Sequence, residues 1–324
     1  MSNPLYTIII GTRNRADHLR PTLESLAGLL LEPGAGAELI LADNGSTDAT
    51  QTVLAQATPA LQEAGIEVRS VNEPQPGACK ARNRALQAAR GEYIFLTDDD
   101  VRIPVDWLQT MSEPLRANRA DVVAGGVRIA DHLLRDWMTP FHRAWMASTE
   151  DDKTLRPNDE PSRIISANMA FSRKVLDMVP GFDEELGPGG LGFCDDILFS
   201  LQMKECKLRL FPMWQIEAEH HFDGSRLTYQ SLVKRAEAEG RSCAYFWYHW
   251  LHHPVPMPRL KERIFSLQLK AMQYQNGKQD ENREGCSEAE MRLIQKVQCY
   301  RQYLVERRRP RNYELRGLIK KEQR

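Results

Sequence analysis

Three consecutive carboxylates, Asp98-Asp99-Asp100, close the apolar run Glu92-Tyr93-Ile94-Phe95-Leu96-Thr97. Like charges so spaced repel one another unless something positive sits between them. For a cluster of hard oxygen ligands that guest is a divalent ion such as Mg2+ or Mn2+, with phosphate oxygens completing its shell. Taken alone, an Asp run after a strand reads as a solvated turn. A second acidic pair, Asp195-Asp196, opens a stretch of helical pattern. Two readings stand for it: charge complementing the helix dipole, or a carboxylate held rigidly as a general base. His220 and His221 end an extended piece beginning at Ile216. A histidine there is structural unless a metal site lies beside it, in which case it is a candidate ligand.

The elements that must position these groups follow from pattern. Leu5 to Ile10, closed by Gly11, reads as a fully buried strand, and Glu38 to Ala42 and Ile66 to Val71 read as two more. The run from Glu92 is the fourth. Helical spacing fills the gaps at Ala16–Leu31, Thr50–Ala64 and Lys80–Arg90. Strands alternating with helices predict βαβ units and a mostly parallel sheet, whose ligand crevice lies outside the carboxyl ends of the strands. The polar loops Thr12–Arg15, Asp43–Asp48 and Asp98–Asp100 therefore share one edge, which lifts the acidic run above a solvated turn. Further on, Trp107–Ala117 reads as a helix, Ala120–Ala130 and Ile164–Phe171 as strands, and 131–163 as loops and short helices. Leu208–Phe211 reads as a short strand separate from Ile216–His221. The hexad Gly187-Pro188-Gly189-Gly190-Leu191-Gly192 matches GxGxxG, but it follows an acidic non-strand segment and contains a proline, so it reads as a loop.

At 324 residues the chain holds one large or two ordinary domains. Its net charge of −1 is unevenly spread, since residues 255–324 carry 17 Lys/Arg against 9 Asp/Glu. The acidic body argues against a nucleic-acid partner. Six scattered cysteines without a CxxC pair read as free thiols, and no apolar run is long enough to span a bilayer. The expected location is cytoplasmic, with peripheral contact at the inner membrane face left open by Arg307-Arg308-Arg309-Pro310-Arg311. That basic run reads first as a solvated face.

Leu227–Cys243 is predicted to close the body as a helix. Tyr245-Phe246-Trp247-Tyr248-His249-Trp250 reads as core or interdomain packing before an interfacial belt. Pro254, Pro256 and Pro258 mark a linker, and Leu260–Gln275 and Glu288–Arg307 read as helices around the polar stretch 276–285. The expected organisation is a catalytic unit over 1–252, with a nucleotide half at 1–100 and an acceptor half at 101–252. A basic helical extension follows over 253–324.

Four motifs in order resemble a family 2 glycosyltransferase of the GT-A fold. They are Ile8-Ile9-Ile10-Gly11-Thr12-Arg13-Asn14-Arg15, Leu41-Ala42-Asp43-Asn44-Gly45-Ser46-Thr47-Asp48, Phe95-Leu96-Thr97-Asp98-Asp99-Asp100 and Asp195-Asp196. The second is similar to the family's VDDGSTDGT and the third to its DxD. Asn168-Met169-Ala170-Phe171 with Gly181-Phe182-Asp183-Glu184 resembles its acceptor-side segment. The resemblance implies an α/β fold of GT-A type, with a Rossmann-like, mostly parallel central sheet flanked by helices. It implies that Thr12 and Arg15 border the nucleobase, that Asp43 accepts a hydrogen bond from it, and that Arg82 lies near the nucleotide. Asp98 falls near the ribose, and Asp99 belongs to the same donor side in a structural or water-linked role. Asp100 binds the metal, His220 faces the metal or diphosphate with His221 as fallback, and Asp196 is the catalytic base. Asp195 replaces a more usual Glu, and it and Asn168 serve the acceptor side. Gly11 and Arg13 stand where the family often has Pro and an aromatic.

The activity so implied is metal-dependent, inverting transfer of a hexose-like sugar from a nucleotide-diphosphate donor to an acceptor hydroxyl. The cofactor is Mn2+ or Mg2+, and the acceptor is a glycan, a lipid-linked chain or another hydroxyl in polysaccharide or glycoconjugate synthesis. A sugar-phosphate nucleotidyltransferase would show a GxGTRL loop, whereas Gly11-Thr12-Arg13 lacks the earlier glycines and the leucine. A non-catalytic nucleotide-sugar-binding module is the other alternative, and intact Asp98, Asp100 and Asp196 argue against it.

Overall fold

A computed structural model of the chain describes residues 4–150, 161, 164–276 and 283–321. Parts of two sequence readings, the loop region 131–163 and the polar stretch 276–285, lie outside these described residues. The four N-terminal strand patterns form β1 (Tyr6–Thr12), β2 (Ala37–Asp43), β3 (Ile66–Asn72) and β4 (Tyr93–Asp98), all parallel to one another. The continuous hydrophobicity of β1, β2 and β4 has a direct cause, because both of their faces are covered, whereas β3 at the sheet edge alternates. Ile8 and Ile10 pack with Leu19 and Leu23 of α1 (Ala16–Ala27) and Val53 and Leu61 of α2 (Thr50–Glu63). Ile9 points the other way, onto Ala81, Ala85 and Leu86 of α3 (Ala78–Ala88).

The second half of the sheet is mixed. Helix α4 (Trp107–Arg116) precedes β6 (Val122–Ile129), and β7 (Met169–Ser172) lies antiparallel between β4 and β6. β8 (Leu210–His220) runs parallel to β6, and the two-residue β5 (Val101–Arg102) pairs antiparallel with its end. The order is β3-β2-β1-β4-β7-β6-β8-β5. Two sequence expectations change here. The pieces 208–211 and 216–221 are one strand, carried through Pro212-Met213-Trp214-Gln215 by a register shift opposite Gly125/Gly126. The strand expected from Ile164 begins only at Met169, because Ser166–Asn168 forms a 3-10 turn.

That turn turns the Asn168 amide into a strut. Its Nδ2 donates to the carbonyls of Gly126 at 2.7 Å and Ile216 at 2.8 Å, and its Oδ1 accepts from Trp107 Nε1 at 2.8 Å. A Cβ on Gly125 would come within 2.2 Å of this amide, so the approach requires glycine. An Asn168→Ala variant leaves a buried indole N–H and two carbonyls unpaired, and is expected to lose about 2–4 kcal/mol of stability in urea unfolding. A loss below about 0.5 kcal/mol would refute the strut.

Helix α5 (Pro140–Trp145) follows β6 and α6 (Asp195–Glu205) precedes β8; after β8 the chain forms α7 (Tyr229–Tyr245), a π turn (Phe246–Trp250), α8 (Pro258–Asn276) and α9 (Glu288–Glu306). Tyr245, His249 and Trp250 are buried, in line with the packing read from the aromatic cluster. Beyond α9 the chain returns to the loop that leads into α6. Tyr313 Oη and Lys320 Nζ each reach the Asp183 carboxylate at 2.8 Å, and Asn312 Nδ2 donates to Glu185 at 2.8 Å. Among the described residues no helix is long and apolar enough to cross a membrane.

Candidate active site

Strand register sets the first half of the site. Gly11 pairs with Asp98 and Thr12 with Asp43, so three motif loops leave the sheet at one edge. Thr12 Oγ1 donates to Asp99 Oδ2 at 2.7 Å, and Arg15 spans the run, 3.1 Å from Asp99 Oδ1 and 2.6 Å from Asp100 Oδ2. Val101 of β5 pairs with His220 of β8, which delivers the imidazole to the acidic run. His220 Nε2 lies 3.3 Å from Asp100 Oδ1, and Arg226 approaches Asp100 Oδ2 at 3.5 Å. His221 instead turns to Glu219 at 3.4 Å.

Burial and charge divide the run. Burial raises the Asp99 carboxyl above the usual range, with Arg15 opposing and Asp100 adding to the shift. Asp100 is as deeply buried, yet His220, Arg15 and Arg226 outweigh that cost and hold it below the usual range. Asp100 is thus the member of the run whose charge its neighbours favour most, and His220 lies beside it. His220 Nδ1 lies 2.9 Å from the Met146 carbonyl. A carbonyl only accepts, so Nδ1 carries the hydrogen, and Nε2 faces the carboxylate oxygen with its lone pair or with a second proton. A cation between these two atoms satisfies both, and one carboxylate with one imidazole suits Mn2+. Among the described residues no group of three or more His, Cys, Asp or Glu side chains gathers into a full ligand cage. Asp100 and His220 are the side chains that could hold a cation here, and phosphate oxygens and water would have to fill its other positions.

The second half comes from α6. Cys194 precedes it with φ +67°, a left-handed conformation that turns the chain sharply before Asp195 and Asp196 enter the first helical turn. The preceding loop folds over α3, with Ala78 N donating to Pro188 O at 2.8 Å. Gly187, at φ +70°, allows this, since a Cβ there would meet Cys79 Sγ at 2.8 Å. The GxGxxG hexad is thus a turn of this loop, as read from the sequence. Arg82 ties the halves together, donating from Nη1 to Asp195 Oδ2 at 2.9 Å and lying 3.5 Å from Asp98 Oδ1.

One cavity of about 540 Å³ gathers Thr12, Arg15, Arg82, Asp98, Asp99, Asp100, Asp195, Asp196 and His220. Asp43 and Asn168 are not among its lining residues. Asp43 accepts from Ser46 N at 2.8 Å and Gln51 Nε2 at 2.6 Å, inside its own motif. Asn44 and Ser166 line the cavity instead. Two lining groups went unread in the sequence, Arg235 and Glu239 of α7. Arg235 stacks over the Phe193 ring at 4.4 Å and donates to the Trp145 carbonyl. Burial and then Arg226 bring its pKa down to about 10, against Glu239, Asp196 and Asp100. Their i, i+4 spacing on a predicted helix was the available signal.

Comparisons with known proteins bear on the family and the fold. A family model described as glycosyl transferase family 2 matches residues 7–179, more than half of the chain. The uncharacterized protein y4gI of Sinorhizobium fredii (strain NBRC 101917 / NGR234) is 38% identical over 280 residues, covering 79% of this chain and 28% of that protein. The succinoglycan biosynthesis protein ExoM of Rhizobium meliloti (strain 1021) is 30% identical over 156 residues, covering 48% of this chain and 47% of that one. The chain thus spans less than half the length of either relative. Among solved structures, the mannosyltransferase PcManGT from Pyrobaculum calidifontis, in complex with GDP-Man and Mn2+, superposes with a TM-score of 0.52 at 16% identity. That match covers 93% of this chain and 70% of that one.

Proposed function

The chain belongs to glycosyl transferase family 2, and from that premise we propose that it is a metal-dependent, inverting enzyme moving a sugar from a nucleoside-diphosphate donor to an acceptor hydroxyl. It is a glycosyltransferase with a GT-A-type fold, a mostly parallel sheet flanked by helices. The acceptor we assign to it is a growing glycan or a lipid-linked chain in polysaccharide or glycoconjugate synthesis. We assign catalysis to residues 1–252, with the donor side in 1–100, the acceptor side in 101–252, and 253–324 as a helical extension.

The observation that carries this reading is that the Asp100–His220 pair and Asp195-Asp196 line one cavity, with Arg82 bridging Asp195 to Asp98 of the acidic run. In the proposed reaction Asp196 takes the proton of the acceptor hydroxyl as its oxygen attacks the anomeric carbon. The bond from that carbon to the diphosphate oxygen breaks, and its electron pair leaves with the diphosphate. Arg15 and Arg226 are placed in this scheme as counter-charges to the departing group. A bound divalent cation supplies further neutralisation of that charge. Direct displacement by one base inverts the anomeric centre.

The test is a thermal-shift series with UDP-, GDP-, dTDP- and CMP-sugars, with Mn2+ and after chelation. At about 100-fold excess over Kd, one donor is expected to raise the midpoint by roughly 5 °C with Mn2+ and much less without it. An equal rise after exhaustive chelation would remove the metal from the scheme. Silence across all donors, with or without Mn2+, would remove the donor assignment.

A further inference from the structure

Helix α8 has two apolar faces, and only one is accounted for by packing. Its inner face meets α9: Phe265 stacks on Tyr300 with ring centroids 5.6 Å apart, Glu262 pairs with Arg301 at 2.8 Å, and Lys261 sits over the Tyr300 ring. On the outer face Leu260, Ile264, Leu267 and Tyr274 form a stripe, with exposures of 49, 44, 67 and 89%. Their spacing of i, i+4, i+7 and i+14 keeps them on one side of the helix. An exposed apolar stripe this long on a well-packed helix calls for an occupant.

Charge identifies it. Arg259, Arg263 and Lys270 are exposed on the same helix, and none of the exposed residues described on α8 is acidic. Glu262, its one acid, is turned inward to Arg301. The patch continues past the start of the helix, where exposed Met257 lies beside Leu304, Arg307 and Arg308 in one groove. A second copy of this face would set cations against cations. An anionic bilayer complements it, taking the apolar side chains into the acyl boundary and the guanidinium groups to the lipid phosphates. We propose that the outer face of α8, with Met257, Arg307 and Arg308, docks the protein on an anionic membrane surface, the helix lying in its plane. The assignment is independent of the donor chemistry.

The experiment is co-sedimentation of the full chain with vesicles containing about 30% phosphatidylglycerol, against pure phosphatidylcholine. Binding is expected to be at least about tenfold stronger to the anionic vesicles and to fall away at about 0.5 M salt. A Leu260→Gln/Ile264→Gln/Leu267→Gln variant and an Arg259→Glu/Arg263→Glu variant are each expected to weaken it about tenfold or more. Both should keep the wild-type unfolding midpoint and donor-dependent thermal shift, because all five positions are exposed. Wild-type protein left in the supernatant, equal binding to neutral vesicles, or undiminished binding by both variants would overturn the proposal. So would a concentration-dependent dimer that the leucine-face variant abolishes without any vesicle binding, which would assign the face to a second copy.

Discussion

Asp196→Asn is expected to lower the transfer rate by about 10³-fold while the donor-dependent thermal shift is kept. The substitution preserves shape and removes only the capacity to take a proton. The backbone that holds this residue stays anchored, because Ser200 Oγ donates to the Asp196 carbonyl at 2.7 Å within the first turns of α6. The comparison variant is Asp195→Asn. Its partner is Arg82, which also lies near Asp98, so the effect there is expected on donor affinity as well as on rate. Steady-state kinetics with the donor found by thermal shift separates the two. A folded Asp196→Asn enzyme with wild-type turnover would sink the base assignment.

Removing the Asp183 carboxylate is expected to cost about 3–5 kcal/mol of stability, the range for stripping one partner from a buried charged network. Its Oδ2 accepts from the phenols of Tyr245 at 2.5 Å and Tyr313 at 2.8 Å, and its Oδ1 accepts from Lys320 Nζ at 2.8 Å. Burial, followed by the charge of Asp183, raises the titration of both tyrosines, so they remain neutral donors. Asp183→Ala takes from both phenols the carboxylate that accepts their hydrogen bonds, leaving Tyr245 Oη its bond from Asn312, and leaves Lys320 with Glu185 as its remaining anion. Tyr313→Phe removes one donor only and is expected to cost about 1 kcal/mol. Urea unfolding of the two variants checks the ratio, and an Asp183→Ala loss below about 1 kcal/mol would refute the network's weight. The loop from Glu184 to Cys194 hangs from this point, so activity should fall with stability even though Asp183 is absent from the cavity wall.

What was legible in the sequence was whatever repeats locally. β1, β2 and β4 are written as apolar runs because both faces of each are covered, and each run ends at a residue that marks the sheet edge. The acidic run, Asp195-Asp196 and His220 were found as residue types in order; register then brings the acidic run and His220 together, and the loop folded over α3 brings in Asp195-Asp196. β8 was read as two pieces because Pro212 to Gln215 lack strand pattern, while its continuity depends on pairing with β6. Motif letters also say nothing of partners. Asp43 and Asn168 have the right identity and sequence position, yet both spend their hydrogen bonds internally, on Ser46 and Gln51 in one case and on Trp107, Gly126 and Ile216 in the other. Arg235 was passed over because its i, i+4 spacing to Glu239 reads equally as a solvated surface pair, and only the fold sets both against the cavity. The same holds for Asn312, Tyr313 and Lys320, whose partners lie more than one hundred residues away.

That last distance has a consequence for how the protein is made. Lys320 and Asp183 are separated by 137 positions, and at about 5–20 residues per second a ribosome takes roughly 7–27 s to travel between them. For most of that interval the nascent chain already holds both acidic motifs, but the loop ahead of Asp195 lacks the phenol of Tyr313 and the ammonium of Lys320 that pin it. The sheet has every strand long before the loop has its fastener. Fastening of this loop is therefore timed by the emergence of Tyr313 and Lys320, and a ribosome stalled in α9 would display the sheet with the loop ahead of Asp195 still unfastened.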